Sequence, residues 1–427
     1  MRGLNMKKKI IIPGLILLLA IGTFFVTLHL FKNEDANNVD KTPTSIEDNL
    51  NDMSLENVTK ETEEIIEPEP IIPEEKEFIP PTVQIVMVGD MLMHGRVMDS
   101  GKKDDGSYNF DHLFENVKDT IENADLALVN QETILGGTEL GLSGYPAFNS
   151  PYELGDSLVS AGFDVILHAT NHTLDKGKTG VLNCMNFWDT NYPDIAYLGM
   201  NKTQEEQDNN IYIYEQDGIE IAILNYTYGT NGIPTPSDMP FIVNYMDEEK
   251  IIKDLQYAEE NADFTIVCPH WGTEYVLYAT DYQKKWSKIF MENGADLVIG
   301  THPHVIEPIE MLTDENGNEM LVYYSIGNYV NGTSGSGEGT TNRMVGGIAN
   351  IVLTVNENDE VYIEKYDVIP IVCHIDDKTE YTVYYLSDYT EELAKENHIV
   401  SQDANFSLKA CENLVYKVWN KPVDLTK

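Results

Sequence analysis

The sequence predicts an α/β fold, and two patterns carry this prediction. Short apolar runs recur along the chain between segments with helical spacing of apolar residues, which is typical of parallel strands joined by helices. Further apolar runs accompany the dipeptides Asp217-Gly218 and Asn316-Gly317, which favour tight antiparallel hairpins. The sheet content is therefore mixed: the parallel units form the functional site, and the hairpins extend a second layer.

The N-terminal part of the chain is predicted to lie outside the folded domain. Residues 10–31 contain no charged side chain and are long enough to span a bilayer as a helix. Basic residues precede this segment and acidic residues follow it, which places residues 1–9 in the cytoplasm and the bulk of the chain outside the cell membrane. A cleaved signal peptide is the alternative. Residues 32–81, acidic and proline-containing, are predicted to form a disordered tether.

Five apolar runs are predicted to be buried strands, at 83–88, 124–129, 163–167, 263–267 and 295–299. Helical spacing predicts helices at 111–123, 152–161, 248–261 and 281–293. Each strand is followed by residues able to bind a metal, which are Asp90, Glu132, Asn171 with His172, His270, and His302 with His304. Because the carboxyl ends of parallel strands face one crevice, these distant side chains can converge.

The rest of the folded part carries fewer signals of function. The Gly/Ser/Thr-rich loop 331–342 is either a lid or a plain flexible connection. The folded domain is predicted at 82–372, and residues 373–427 are predicted to be a structural C-terminal extension. The four cysteines are scattered singly, so they are either buried free thiols or disulfides that the sequence cannot pair.

The composition restricts the possible partners. A net charge of −43 argues against nucleic acid, because a basic surface is what phosphate backbones require. An anionic substrate would need a local positive centre, which a bound metal cation can supply.

Taken singly, each candidate ligand has an ordinary structural explanation, such as a turn or a helix cap. Taken together, carboxylates, an amide oxygen and several imidazoles suit manganese, iron or zinc. The ligands are too many for one tetrahedral ion, so two divalent ions bridged by a carboxylate are expected. Such a pair activates a water molecule near neutral pH.

Seven segments resemble, in order, the motifs of the CapA family of proteins associated with bacterial poly-γ-glutamate capsule synthesis. They are Val88–Arg96, Asn130–Glu132, Phe148–Leu154, Ala169–Asp175, His270–Tyr275, Gly300–Val305 and Tyr324–Tyr329. The resemblance implies the calcineurin-like metallophosphoesterase fold, in which two mixed β-sheets form a sandwich flanked by helices.

The resemblance also implies roles for individual residues. The metal ligands would be Asp90 and His304 at the first ion, Glu132 as the bridge, and Asn171, His270 and His302 at the second ion. The superfamily has a histidine two residues after the first aspartate; Leu92 stands there instead, and His94 is the candidate replacement. Asp90, His172 and Arg96 are expected to be catalytic, with His172 as general acid or transition-state donor.

Four further residues of these segments are expected to contact substrate, and they are Arg96, Trp271, Glu274 and Asn328. Arg96 could fork onto an oxyanion during catalysis, or it could form a salt bridge within this acidic protein.

Three functions fit these observations. The first is a membrane-anchored, extracytoplasmic protein of poly-γ-glutamate synthesis, export or attachment with a two-metal hydrolase or transferase site. Its partners would be the anionic polymer and the membrane-bound synthase subunits. The second is a non-catalytic accessory subunit that uses the same fold to bind polymer or synthase, and the third is a secreted phosphoesterase unrelated to capsule.

Overall fold

The computed structural model describes residues 80–209, 211–333, 335–376 and 379–421. The predicted N-terminal segment 1–9, the anchor 10–31 and all but the last two residues of the tether 32–81 lie outside these residues. Within the described ranges, no helix has the length and apolar character needed to cross a membrane.

The described strands form two sheets. They are β1 (Thr82–Leu92), β2 (Leu126–Asn130), β3 (Val165–Leu167), β4 (Ala196–Leu198), β5 (Tyr212–Gln216), β6 (Ile219–Thr227), β7 (Phe264–His270), β8 (Leu297–Ile299), β9 (Ile309–Thr313), β10 (Glu319–Tyr323), β11 (Asn328–Asn331), β12 (Val345–Val355), β13 (Val361–Asp376) and β14 (Glu380–Tyr385). The first sheet has the order β14-β13-β12-β1-β2-β3-β4, with β11 also paired to β1. The second has the order β5-β6-β7-β8-β10-β9.

Both sheets are mixed, which confirms the predicted α/β architecture of two mixed sheets flanked by helices. Strands β1 to β4 are parallel, and β12 to β14 add antiparallel neighbours. In the second sheet β6, β7, β8 and β10 are parallel, and β5 and β9 are the antiparallel edges. The hairpins were expected to extend a second layer, whereas the structure has antiparallel strands in both sheets.

The described helices are α1 (Gly95–Ser100), α2 (Lys118–Glu122), α3 (Glu153–Ala161), α4 (Gly177–Asn191), α5 (Gln204–Asn209), α6 (Glu248–Asn261), α7 (Asp281–Glu292), α8 (Glu391–Glu396) and α9 (Leu408–Trp419). The predicted helices at 152–161, 248–261 and 281–293 are confirmed as α3, α6 and α7. The predicted helix at 111–123 is not continuous. A 3-10 turn is followed by the short α2, and the apolar residues of the two pieces pack into the same core.

Alternation along the central strand explains the sandwich. Val83, Ile85 and Met87 point into an apolar layer shared with strands of the second sheet, such as β6 and β7. Val86 and Val88 point to the opposite face, where residues of α3 and α4 cover the first sheet. A strand buried on both faces needs a continuous apolar run, which is the pattern that the sequence shows.

The C-terminal residues complete the fold. The predicted boundary at residue 372 falls inside β13, and β14 then extends the first sheet. The indole of Trp419 in α9 donates a hydrogen bond to the Glu307 carbonyl at 2.8 Å. The loop 331–342 is tied to the same region, since Thr341 Oγ1 donates to Asp403 Oδ2 at 2.7 Å. All four cysteines are buried free thiols.

Strand β1 changes partner where the site begins. It pairs with β12 as far as Val88 and with β11 from Asp90 onward. Gly89 lies at the crossing, and a Cβ atom placed there would sit 1.9 Å from the Gly327 carbonyl oxygen. Only glycine therefore allows β11 to approach closely enough for the Asp90 amide to donate to that oxygen at 3.1 Å.

We expect Gly89→Ala to lower the free energy of unfolding by at least about 2 kcal/mol, because the backbone carbonyl cannot move without disturbing β11. Gly95→Ala is the matched control, since a Cβ atom at that position meets open space. Urea denaturation of both variants measures the difference. Equal stability of the two would show that the close approach does not constrain the strands.

One buried carboxylate lies apart from the strand ends. Glu307 is fully buried, and its Oε2 accepts a hydrogen bond from Gln283 Nε2 at 2.5 Å. Its Oε1 has no hydrogen-bond partner among the described residues. Burial raises the pKa of Glu307 from 4.5 to about 8, and the Gln283 hydrogen bond only partly opposes this. The folded chain therefore keeps this proton at a pH where the unfolded chain loses it.

It follows that stability present below about pH 4.5 is lost as the pH rises through about 8. We expect Glu307→Gln to remove this loss, an effect of no more than about 5 kcal/mol at pH 9, and to change little at pH 4. The free energy of unfolding measured across this range tests the expectation, with the exposed Glu319→Gln as control. An unchanged pH profile in Glu307→Gln would contradict it.

Candidate metal centre

The two sheets bring their strand ends to one place. Asp90 lies in β1, and Asn130, the last residue of β2, donates from Nδ2 to Asp90 Oδ1 at 2.8 Å. His270, the last residue of β7 in the other sheet, lies with its Nδ1 3.9 Å from the same oxygen. The convergence therefore takes place across the sandwich, between ends of both sheets, and not within a single sheet.

Two groups of side chains could each hold a metal ion. Asp90, Glu132 and His304 form the first group, and Glu132, His270 and His302 form the second. Within each group the possible ligand atoms lie within 4.8 Å of one another, and all of these residues are buried. Glu132 belongs to both groups, which is the position that a bridging carboxylate occupies between two ions.

The two histidines after β8 depend on an unusual backbone. His302 has φ 97° and His304 has φ 57°, in the left-handed region that residues with a Cβ atom seldom adopt. The His302 amide donates to Asp90 Oδ2 at 3.2 Å, which helps to hold this turn. A turn of this kind costs about 1–3 kcal/mol per strained residue and is typical of functional sites. Its result here is that both imidazoles face the carboxylates.

The donor atoms fit divalent cations. Both carboxylate oxygens of Glu132 and the Nδ1 of His302 are buried without a hydrogen-bond partner among the described residues. Orphaned groups of this kind are costly unless something with positive charge satisfies them. Two carboxylates and three imidazoles form a mixed oxygen and nitrogen set that suits manganese, iron or zinc better than calcium.

The charge distribution leads to the same conclusion. Burial raises the pKa of Glu132 well above its usual range, and the negative charge of Asp90 adds to the effect. Burial alone would lower the pKa of His304, but Glu132 and Asp90 outweigh it and raise the pKa to about 10. The buried carboxylates thus require positive charge, which a proton supplies in the metal-free chain and a cation can supply instead.

The remaining imidazoles of the second group are neutral. Burial lowers the pKa of His270 and of His302 well below the usual value, and neighbouring histidines lower it further. A neutral imidazole is the form that coordinates a metal. Thr301 Oγ1 lies 3.0 Å from His270 Nδ1, so the hydroxyl can fix the orientation of this ring and leave Nε2 toward Glu132.

Two predicted ligands lie differently with respect to these groups. Asn171 reaches the second group, because its Oδ1 lies 3.0 Å from His270 Nε2. His94 belongs to neither group and packs edge-on against Phe148, with 5.2 Å between ring centroids. Burial lowers the pKa of His94 to about 4, with smaller contributions from His304 and His172.

His172 lies beside the groups and has an orienting partner. Its Nδ1 is 2.7 Å from Asp175 Oδ2, and its ring meets Phe148 edge-on with 4.6 Å between centroids. A carboxylate on Nδ1 fixes the orientation of the ring and leaves Nε2 as the nitrogen available for proton transfer. Asp175 was missed as a site residue, although the spacing from His172, within one quoted segment, could have indicated it.

The four predicted substrate contacts lie in different surroundings. Arg96 is an exposed residue of α1. Trp271 is fully buried, and its indole donates to the Tyr324 carbonyl at 2.9 Å, so it packs in the core behind the site. Asn328 is buried with Oδ1 3.0 Å from His304 Nδ1, where it orients that imidazole. Glu274 is exposed, and its charge contributes to raising the pKa of His304.

Several other side chains near the site were not predicted from the sequence. Each of them contacts a candidate ligand or a neighbour of one, and they are Asn130, Asn231, Tyr228, Tyr275, Thr301 and Arg343. Asn130, Tyr275 and Thr301 lie within the motif segments and could have been found there. Asn231, Tyr228 and Arg343 lie outside the motifs, and only the tertiary structure places them.

We expect the full chain to bind two divalent ions and Glu132→Gln to weaken both by at least about tenfold, because this residue belongs to both groups. His302→Ala should reduce the binding of one ion only. Metal analysis after equilibration with manganese or zinc, with His398→Ala as control, measures the stoichiometry. Full occupancy in Glu132→Gln would contradict a shared carboxylate.

Comparison with known proteins gives the family. Residues 84–333 match the family described as bacterial capsule synthesis protein PGA_cap. The chain is 30% identical over 174 residues to the PGA biosynthesis protein CapA of Bacillus subtilis (strain 168), covering 40% of this chain and 44% of the relative. It is 26% identical over 255 residues to the capsule biosynthesis protein CapA of Bacillus anthracis, covering 58% and 59%. The chain thus spans about half the length of these relatives.

Solved structures are more distant. The NAD nucleotidase of Haemophilus influenzae is 13% identical with a TM-score of 0.45, covering 74% of this chain and 62% of that chain. The 5′-nucleotidase precursor of Thermus thermophilus is 13% identical with a TM-score of 0.40, covering 68% and 54%. Likeness at these scores carries no inference about activity.

The family match spans more than half of the chain and contains every residue of both metal-binding groups. The chain therefore belongs to the family of bacterial capsule synthesis proteins.

Proposed function

We propose that this protein acts in the synthesis, export or surface attachment of poly-γ-glutamate, an anionic capsule polymer, and that it does so with a two-metal site of hydrolase or transferase type. The observation that carries the proposal is the pair of ligand groups that share Glu132. The printed names of the two relatives, both capsule or PGA biosynthesis proteins, support the choice of polymer. The apolar segment 10–31 supports a membrane-anchored, extracytoplasmic location.

The chemistry at this site would follow from the residues that hold the ions. Asp90 and His304 would hold one ion, His270 and His302 the other, and Glu132 both. When bound, the ions would supply an activated water or acceptor group for cleavage or transfer of a phosphoester or amide-type bond. Four of these five side chains are no more than 3% exposed, so the ligands lie where bulk water is excluded.

His172 would donate the proton to the leaving group. Its Nδ1 interacts with Asp175, which fixes the orientation of the ring. Phe148 packs against the ring and further restricts its position. We assign proton donation to His172 because it is buried and oriented by Asp175. It is also close enough to His270 and His302 to lower the pKa of both.

A second candidate function is a non-catalytic accessory subunit that binds polymer or synthase. One observation favours it: Leu92 stands where the superfamily has a histidine, and His94 belongs to neither ligand group. The first group then offers fewer protein ligands than a conventional two-metal centre.

The two functions differ in what His172 must do. We expect His172→Ala to reduce polymer production in a capsule-forming host that lacks its own copy by roughly 100-fold or more, because general acid catalysis contributes on the order of 10²–10⁴. Asp175→Asn should act in the same direction through the same ring. Metal content of both variants should equal that of the parent chain.

Polymer released into the medium and attached to cells measures this outcome. A variant that lacks residues 10–31 serves as a comparison, because both functions need the chain to reach the membrane. Normal polymer production by His172→Ala, together with its loss on deletion of 10–31, would contradict the enzymatic function and favour the accessory subunit.

A further inference from the structure

A guanidinium group is linked to the first ligand group through one tyrosine ring. Arg343 belongs to a 3-10 turn, Thr341–Met344, at the end of the loop that joins β11 to β12. Its Cζ lies 3.8 Å from the ring centroid of Tyr275, and that ring lies 6.1 Å from the ring of His304. Asn328 links the same elements, since its Nδ2 donates to the carbonyls of both His304 and Arg343 at 3.0 Å.

The charge of Arg343 is not neutralised by an ion pair with any residue that the structure describes. Among the described residues, no carboxylate lies within 4.0 Å of its guanidinium, although the chain carries a net charge of −43. Its Nη1 donates to Thr333 Oγ1 at 2.9 Å, while its Nε is buried with no partner in the described ranges. The hydrogen bonds described leave the second proton of Nη1 and the protons of Nη2 as donors for an incoming acceptor, and no salt bridge has to be broken.

The guanidinium lies over the Tyr275 ring. Contact with an aromatic face restricts the side chain of an arginine while its Nη atoms keep protons to donate. Burial raises the pKa of Tyr275, and the neighbouring Glu274 carboxylate, which hydrogen-bonds Tyr275, raises it further. Among the ion pairs of the described residues, none joins Glu274 to Arg343. The structure therefore places a restrained cation beside Tyr275, whose ring is 6.1 Å from that of His304.

Two exposed aromatic side chains also lie near the ligand groups. Tyr228 has its ring 4.6 Å from that of His302, and it is 39% exposed. Tyr145, 76% exposed, lies 6.4 Å from Phe148, which itself contacts His172. Tyrosines with an exposed face and a polar tip suit a substrate that is part planar and part polar. Arg343 supplies a positive charge near these tyrosines.

We infer that Arg343, stacked on Tyr275, binds an oxyanion of the substrate next to the metal centre, either a carboxylate or a phosphate. The inference rests on the proposed function for its substrate, because a γ-linked glutamate chain carries one carboxylate on each residue. A forked contact would fix the register of the polymer, so that one linkage is placed at the ions. The role is one of substrate binding and does not require Arg343 to take part in proton transfer.

Arg96, which the sequence favoured for binding an oxyanion, is less well supported for that role by the structure. It is exposed on α1, and no contact between it and the ligand groups is found among the described residues. Sequence position favoured it because it follows Asp90 closely, whereas Arg343 lies outside the motifs and reaches the site only through the turn after β11.

The test measures binding to the full chain by calorimetry, with two probes. One probe is a γ-glutamate oligomer of defined length, and the other is a simple phosphate diester. Arg343→Met should weaken one of them at least about tenfold, and Arg343→Lys should recover only part of the loss, because a lysine cannot make the fork. Lys365→Met, a 74% exposed cation on β13, removes the same charge elsewhere and should change binding less than twofold.

An oligomer with its carboxylates converted to amides completes the design, since it should bind no differently to Arg343→Met and the parent chain. The probe that is weakened identifies the anion as carboxylate or phosphate. Metal content is measured for every variant, because a variant that lost its metal would show that Arg343 acts only through Asn328 and His304, which would overturn the inference.

Three further outcomes would overturn it. These are unchanged binding of both probes by Arg343→Met, equal weakening by Lys365→Met or by Arg96→Met, and a parent chain that binds neither probe. None of them decides the capsule function, which the polymer assay with His172→Ala tests separately. Loss of polymer in that assay with unchanged oligomer binding by Arg343→Met would therefore keep the proposed function and reject this inference alone.

Discussion

The structure depends most on the burial of two carboxylates, Asp90 and Glu132, at the place where both sheets end. Burying an unpaired carboxylate costs several kcal/mol in a real protein, and Glu132 has no hydrogen-bond partner among the described residues. Asp90 is held by Asn130 and by the amide of His302, so its position is fixed before any ion arrives. The surrounding fold can be understood as the scaffold that keeps these charges in place.

Holding the two carboxylates in place requires strained backbone and very close approaches between strands. Two histidines have positive φ angles, and Gly89 and Gly300 each leave less than 2.5 Å between a would-be Cβ atom and a backbone carbonyl oxygen. Close approach of this kind lets β1, β11 and the turn after β8 meet without side chains between them. Burial of the apolar layer between the sheets, and of the side chains under the outer helices, offsets the free-energy cost of this strained turn.

Much of the fold and of the site could be predicted from the sequence, because the signals lie in short stretches of the chain. Buried strands are continuous apolar runs, and the polar residue that ends each run stands out, which is how Asp90, Glu132 and His270 were found. The division of the strands between two sheets could not be predicted, because a strand pattern does not say which neighbour it pairs with. Trp271 was assigned to substrate by its motif, yet only packing shows that it faces the core. Arg343 was missed because it lies outside every motif, and only the tertiary structure brings it to Tyr275.

The central claim is that Glu132 lies between two cations. A crystal structure of the full chain grown with manganese, with anomalous scattering used to locate the ions, tests it most directly. The account predicts two anomalous peaks about 3.5–4 Å apart, both within bonding distance of the Glu132 carboxylate. No peak at the strand ends, or a single peak that Glu132 does not contact, would contradict it.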